Sequence, residues 1–168
     1  MDQPERAIGG HLGISGHKGM TQNLAEILLF VSVAINAALL IFIAGVLGNV
    51  MNDMDELEFK YFVESLYRHS TKSPFMLTVL NMPFVGAIPY FYFYGSGNQW
   101  ITAGLAIWLI AGIVAKAIKV PVYKTIAAAG GGEVLRLREE RRKLNAGNLL
   151  QAILNLVAAA VMIIAFVR

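Results

Sequence analysis

Residues 24–48 read "LAEILLFVSVAINAALLIFIAGVLG". After Glu26 the run carries no charge, and as a helix rising about 1.5 Å per residue it is long enough to cross about 30 Å of bilayer hydrocarbon. The rest of the chain fits that solvent. Of its 168 residues 57% are hydrophobic and only 15% charged, with a mean hydropathy of +0.59, far more apolar than an ordinary soluble domain. Three further runs repeat the pattern: 75–94, "FMLTVLNMPFVGAIPYFYFY", and two more at about 100–118 and 149–167. The sequence therefore predicts an all-α fold, a four-transmembrane-helix bundle over residues 24–168 preceded by a polar, Gly-rich segment at 1–23. Proline at 83 and 89 predicts kinks in the second span, which neighbouring helices tolerate by satisfying the freed carbonyls.

Charge sets the direction of the spans. Ten Lys and Arg (Lys60 to Lys72, Lys119, Lys124 and Arg136 to Lys143) fall on the side of the two longer loops, against Arg6, Lys18 and Arg168 on the side of the termini. The positive-inside rule then places loops 49–74 and 119–148 in the cytoplasm and both termini outside, in a plasma or bacterial inner membrane. Aromatics from Tyr90 to Tyr94 and Trp100 fit a belt around the short link between spans two and three. A cleaved signal peptide is not expected, because no compact basic stretch leads directly into an apolar core and a small-residue cleavage motif. The net charge of +3 is explained by topology, and no nucleic acid is expected as a partner. With no cysteine in the chain, disulfides, thiolate chemistry and Cys-bound metal are excluded.

The acidic run "DMDELE", 53–58, raises the question of a metal. Asp53 and Glu56 stand at capping-box spacing, and Phe59, Phe62, Val63, Leu66 and Tyr67 form one helical stripe behind them. An amphipathic helix from Asp53 to about His69, lying at the cytoplasmic interface, accounts for every position. Asp53, Asp55 and Glu58 are the weak candidates for a hard cation, without the glycine on which an EF-hand loop turns. His11 and His17 could share a metal but lack a third ligand, and His69 lies across the membrane from them. No cofactor is predicted.

Inside the spans the polar residues are Asn36, Asn81, Gln151 and Asn155, with Lys116 near the end of span three. Asn148, Gln151, Ala152, Asn155 and Ala159 share one face of span four, suited to close packing and interhelical hydrogen bonds. The sharper alternative is a cytoplasm-facing pocket in which Lys116, Asn81, Gln151 and Asn155 converge, as a substrate path requires. Glu26 is placed as the capping-box partner of Asn23, although a membrane glutamate also occurs in small proton-coupled exporters. The second long loop is expected to break at Pro121 and at Gly130 to Gly132, then to form a charged helix running into span four. Its Arg141, Arg142 and Lys143 could hold anionic lipid headgroups. Gly130 to Gly132 are not followed by Lys-Ser or Lys-Thr, so no phosphate loop is supported.

The stretches "IAGVLGNVM" (43–51), "FKYFVESL" (59–66), "KVPVYKTI" (119–126) and "RRKLNAGNLLQ" (141–151), in this order, resemble the anthrone oxygenase-like family of small four-helix membrane proteins. The resemblance covers about residues 43–168. It implies a membrane-embedded oxygenase acting on a polycyclic phenolic. Tyr123, Leu144 and Gln151 stand where that family's pattern often has asparagine, tryptophan and arginine. A different class competes with it: a non-catalytic accessory or structural subunit of a larger membrane complex, with protein partners contacting the N-terminal segment. A small-molecule transporter comes third, because only Glu26 and Lys116 could carry coupling charge.

Overall fold

The computed structural model describes residues 14–130 and 132–167, with side chains from residue 21 onward. The segment 1–13, with His11, and Arg168 lie outside the described residues, as does the side chain of His17. Among the described residues there is no strand. Helix α1 (Ile14–Phe42) passes through a π-helical turn (Ile43–Leu47) into α2 (Gly48–Asp53); α3 (Glu56–Lys72), α4 (Pro74–Tyr94), α5 (Gln99–Ala128) and α6 (Val134–Val167) follow. Four segments are long and apolar enough to cross a membrane: Thr21–Asp53, Pro74–Tyr94, Gln99–Ala128 and Val134–Val167. The chain reads as an integral membrane protein with four spanning helices.

Successive spans run antiparallel. The start of α1 therefore meets the end of α4, the α4–α5 link and the end of α6, as the Phe30–Phe166 ring contact shows. We call this the hairpin end, and the opposite one, carrying α2, α3 and the 129–133 link, the loop end. Gly95, with φ +64, turns the chain out of α4, a conformation other residues adopt only with strain. Helix α6 is central, packed most extensively on α5 and then on α1, while α4 rests chiefly on α1. Alpha5 and α6 come very close at Gly104: a Cβ there would run into Met162 and stand 2.9 Å from the Ala158 carbonyl oxygen.

The core has two centres. At the hairpin end Leu29, Val33, Tyr90, Ile101, Leu105 and Met162 pack together. At the loop end Met51, Phe59, Val63, Ile126, Leu137 and Leu144 join α2, α3, α5 and α6. Between them the small and polar face of α6 is buried as its spacing predicts, with Asn148, Ala152, Asn155 and Ala159 all covered.

Three local expectations are corrected. The capping box is built by Asp55 and Glu58, two residues later than Asp53 and Glu56: the Asp55 carboxylate accepts from the Leu57 and Glu58 backbone N–H groups, and Glu58 accepts from the Asp55 N–H. Both pairs have the spacing, and the one that wins puts Phe59 and Val63 into the core while letting α2 run to Asp53. Pro121 does not break α5. It removes one backbone donor, whereas the residues beyond it, Val122 and Ile126, are buried against the loop-end core and hold the helix on to Ala128. Asn23 caps nothing, because α1 begins at Ile14 and Glu26 stands well inside it.

Pro83 lies inside α4 as expected, and its missing N–H leaves the Val79 carbonyl without its helical donor. The Asn36 amide on α1 takes that place, donating to Val79 O at 2.7 Å. A proline and an asparagine on different helices thus make one joint.

Helix α6, at 34 residues, is about 50 Å long at the rise of an α-helix, well beyond the hydrocarbon thickness. Its first half projects past the apolar region with the end of α5 and with α3, forming a head at the loop end.

Candidate functional site

The most concentrated polar chemistry inside the spans is at Glu26. It is 4% exposed, and three neutral donors converge on its carboxylate. The Tyr90 hydroxyl donates to Oε1 at 2.9 Å, the Gln22 amide to the same oxygen at 3.0 Å, and the Asn98 amide to Oε2 at 2.8 Å. Each donor has a structural reason to be there. Gln22 is one turn before Glu26, Tyr90 sits on the inner face of α4, and Asn98 caps α5 by accepting from Trp100 N. Asn98 therefore serves two elements with one amide. Among the described residues no Lys or Arg pairs with Glu26. The cluster ties α1, α4 and the start of α5 together at the hairpin end, and it offers oxygen acceptors and a phenolic donor beside a carboxylate.

A second cluster organises the head around Arg141, which is 8% exposed. Its guanidinium donates to the backbone oxygens of Met54 at 2.9 Å and Asp55 at 3.1 Å, with a longer bond to Asn52, and lies 4.6 Å from the centre of the Phe59 ring. These carbonyls close α2 and open α3. The planar fork of arginine suits them, since several donors in fixed geometry can serve acceptors that leave one turn of chain. Of the lipid-headgroup candidates Arg142 is exposed and Lys143 bonds Glu139 and Glu140, each at 2.9 Å.

Of the remaining sequence candidates Gln151 and Asn155 meet along α6, and among the described residues no hydrogen bond or groove joins them to Asn81 or Lys116. Asn81 is exposed on α4, its amide donating to Leu77 O of its own helix at 2.7 Å. Lys116 is exposed on α5. Gln151 accepts from Lys119 across the α5–α6 interface. Asn155 is buried; its amide donates to Gln151 O and its Oδ1 has no partner among the described residues. Asp55 and Glu58 are engaged in the cap, and among the described residues no three His, Asp or Glu side chains group as a metal centre would.

Two grooves lie elsewhere. One of about 290 Å³ runs between α3 and α5 and is lined by Val63, Tyr67, Val120, Tyr123 and Ile126, with Glu64 and Lys124 also in the wall. The rings of Tyr67 and Tyr123 are 4.7 Å apart inside it. The other, about 190 Å³, lies along the π-helical turn against α6, between Ala44, Gly45, Ala152 and Leu156. None of Asn81, Lys116, Gln151 and Asn155 lines either.

Glu26 was visible in the sequence as an acid in an apolar run, yet its nearest asparagine is not its partner. Tyr90 and Asn98 lie 64 and 72 residues away, and only the antiparallel return of α4 brings them to it. Comparison with protein-family models, with curated proteins and with solved structures finds no match to this chain.

Proposed function

We propose that this protein is a non-catalytic accessory or structural subunit of a larger membrane complex, engaged through its loop-end head. The observation that carries this reading is how the buried and half-buried polar groups are used. Glu26, Asn36, Lys119 and Arg141 each bond to another helix or to the chain that joins two helices. Such bonds fix the relative positions of helices, as a scaffold requires. The head meanwhile carries Leu57, Tyr61 and Leu135 on its surface, with Leu135 79% exposed, at a distance from the apolar half of α6 of about 20 Å by helical rise. Exposed apolar side chains beyond the hydrocarbon suit a protein contact.

The test is extraction in mild detergent, purification through a tag, and mass spectrometry with an absorbance scan. The expected result is a companion polypeptide at fixed stoichiometry that is lost in Leu135→Glu or Tyr61→Glu while the variant melts as the parent does. Purification of the chain alone from wild-type membranes, in the same yield as from the variants, would overturn it.

The groove between α3 and α5 favours a second reading, the anthrone oxygenase-like enzyme. Two tyrosine rings in contact, tilted by 34°, in an apolar wall suit a flat polycyclic phenolic. Oxygen uptake with an anthrone by the purified protein, abolished by Tyr123→Ala, would restore that reading.

A further inference from the structure

Helix α4 is the least covered of the four spans: 11% of its most apolar window is buried, against 28–33% in the others. Pro83 and Tyr90 are its only buried residues. Its outer side has an order of its own. Thr78, Asn81, Val85, Ile88 and Tyr92 follow one another at spacings of three, four, three and four, and all five are exposed. That alternation is the seam of a heptad repeat, in which a helix meets a parallel neighbour with its a and d side chains. Val85 and Ile88 supply β-branched knobs at successive seam positions, and Asn81 supplies one polar residue.

Asn81 is misplaced on a lipid-facing surface. It lies about 10 Å inside the span by helical rise, where polar side chains almost always face other helices. Its amide gives one hydrogen to Leu77 O. The second hydrogen and the Oδ1 acceptor remain, and among the described residues neither Oδ1 nor the Thr78 hydroxyl has a partner.

We propose that α4 is the contact between two copies of this chain, packed side by side about a two-fold axis along the membrane normal, with the two Asn81 amides bonded to each other. The symmetry supplies what the site lacks. A two-fold along the normal places identical residues at equal depth, so each Asn81 meets the other copy's Asn81, gives it the free hydrogen and accepts from it. An amide is self-complementary in this way. A helix of a different chain would need its own donor and acceptor at the same depth, whereas the second copy brings both by symmetry. An asparagine that must meet its counterpart within the seam also fixes the register of the pair. The contact rests on α4 alone and does not depend on what the head binds.

The absence of native cysteine makes the test direct. Thr78→Cys, Val85→Cys and Ile88→Cys are each introduced singly, with Ile113→Cys on α5 and Ile153→Cys on α6 as exposed controls. The purified proteins are reconstituted at low density in phosphatidylcholine vesicles and mildly oxidised. Seam positions should yield disulfide-linked dimer at least about tenfold above the controls, because a disulfide needs Cα atoms within about 7 Å. Adding Asn81→Leu to Val85→Cys should bring the yield down to the control level, and Asn81→Gln should retain part of it. Helicity, measured in parallel, should be unchanged, since Asn81 contacts only its own helix. Equal cross-linking at Val85 and Ile113, or a Val85 yield undiminished by Asn81→Leu, would overturn the proposal.

Discussion

Arg141 shows what a single residue contributes to this fold. Its guanidinium is buried where two helices are joined by one extended residue pair, Met54 and Asp55; it serves the Met54 carbonyl and joins the Phe59 N–H on the Asp55 carbonyl. Arg141→Met keeps most of the apolar stem but leaves the Met54 carbonyl without this donor and Asp55 O with the Phe59 N–H alone, and hydrogen bonds to charged groups contribute about 1.5–3 kcal/mol, so a loss of about 2–4 kcal/mol is expected in a detergent melt. Arg141→Lys should recover little of it, because an ammonium cannot reproduce the fork. A lysine variant as stable as the parent would remove the staple from the account. In the sequence Arg141 is one of three consecutive bases, all read as facing headgroups, and nothing local separates them. The distinction is one of angle: position 141 turns towards Phe59 between the buried positions 137 and 144, while 142 turns outward. Glu26 was misread for a related reason, a nearby asparagine offering a local explanation where the partners are Gln22 one turn before it and the remote Tyr90 and Asn98. Side-chain chemistry was legible at these positions, but partners were not.

At the scale of elements, the four spans were legible because the bilayer demands long uninterrupted apolar runs, and composition alone reports them. Their ends were less so. Span three, expected to stop near 118, continues to Ala128, because helices past the hydrocarbon are held by packing on α3 rather than by hydropathy; the charged helix expected after the glycines does run into span four, beginning at Val134. The joint between α1 and α4 gives a sharp test of how a proline is accommodated. Asn36→Leu should destabilise the protein by about 1–2 kcal/mol, the range of interhelical polar bonds in membranes and of a bared carbonyl. In a Pro83→Ala background the alanine N–H returns to Val79 O, and the cost of Asn36→Leu should shrink towards zero. Additive effects in the double-mutant cycle would mean that Asn36 is not serving the proline. The contact of α3 with α6 has a pH dependence of known sign. Arg138 donates to Glu56 at 3.1 Å and holds that carboxyl below its ordinary value of 4.5; Arg136, followed by the Gly130 N–H, does the same for Glu133 beside the 129–133 link. A carboxyl depressed in the folded state contributes stability that is present above its unfolded pKa and lost as pH falls through the folded one. Hydrogen exchange of the loop-end helices should therefore be constant from pH 7 to about 5, after correction for intrinsic rates, and accelerate below about 4.5. Arg138→Met should flatten part of that change, and 1 M salt should weaken it, since Glu133, Arg136 and Arg138 are exposed and Glu56 only half-buried.

At the scale of the molecule, the two ends of the bundle differ in kind. The hairpin end is closed by the Glu26 cluster, a neutral-donor clamp within the spans, whereas the loop end extends into a charged head stiffened by Arg141 and by ion pairs such as Arg138–Glu56. Only one end suits the hydrated side that retains positive charge. Of the 14 Lys and Arg in the chain, ten belong to the loop-end elements and Lys116 to span three, while Arg6, Lys18 and Arg168 belong to the terminal stretches of the sequence. The head places most of the ten where translocation would oppose them, since α6 carries Arg136, Arg138 and Arg142 on its exposed surface before it enters the apolar region. We predict that the loop end is cytoplasmic and both termini are external. Cysteine introduced at position 10 or at position 138 is unique in this chain, and an impermeant maleimide applied to intact cells should label the first and not the second, with 138 becoming reactive once the membrane is opened. Arg138 is 63% exposed at its side chain, so a thiol there is reachable when the reagent has access. Labelling of 138 but not 10 in intact cells would invert the topology and with it the side on which the partner proposed for the head is to be sought.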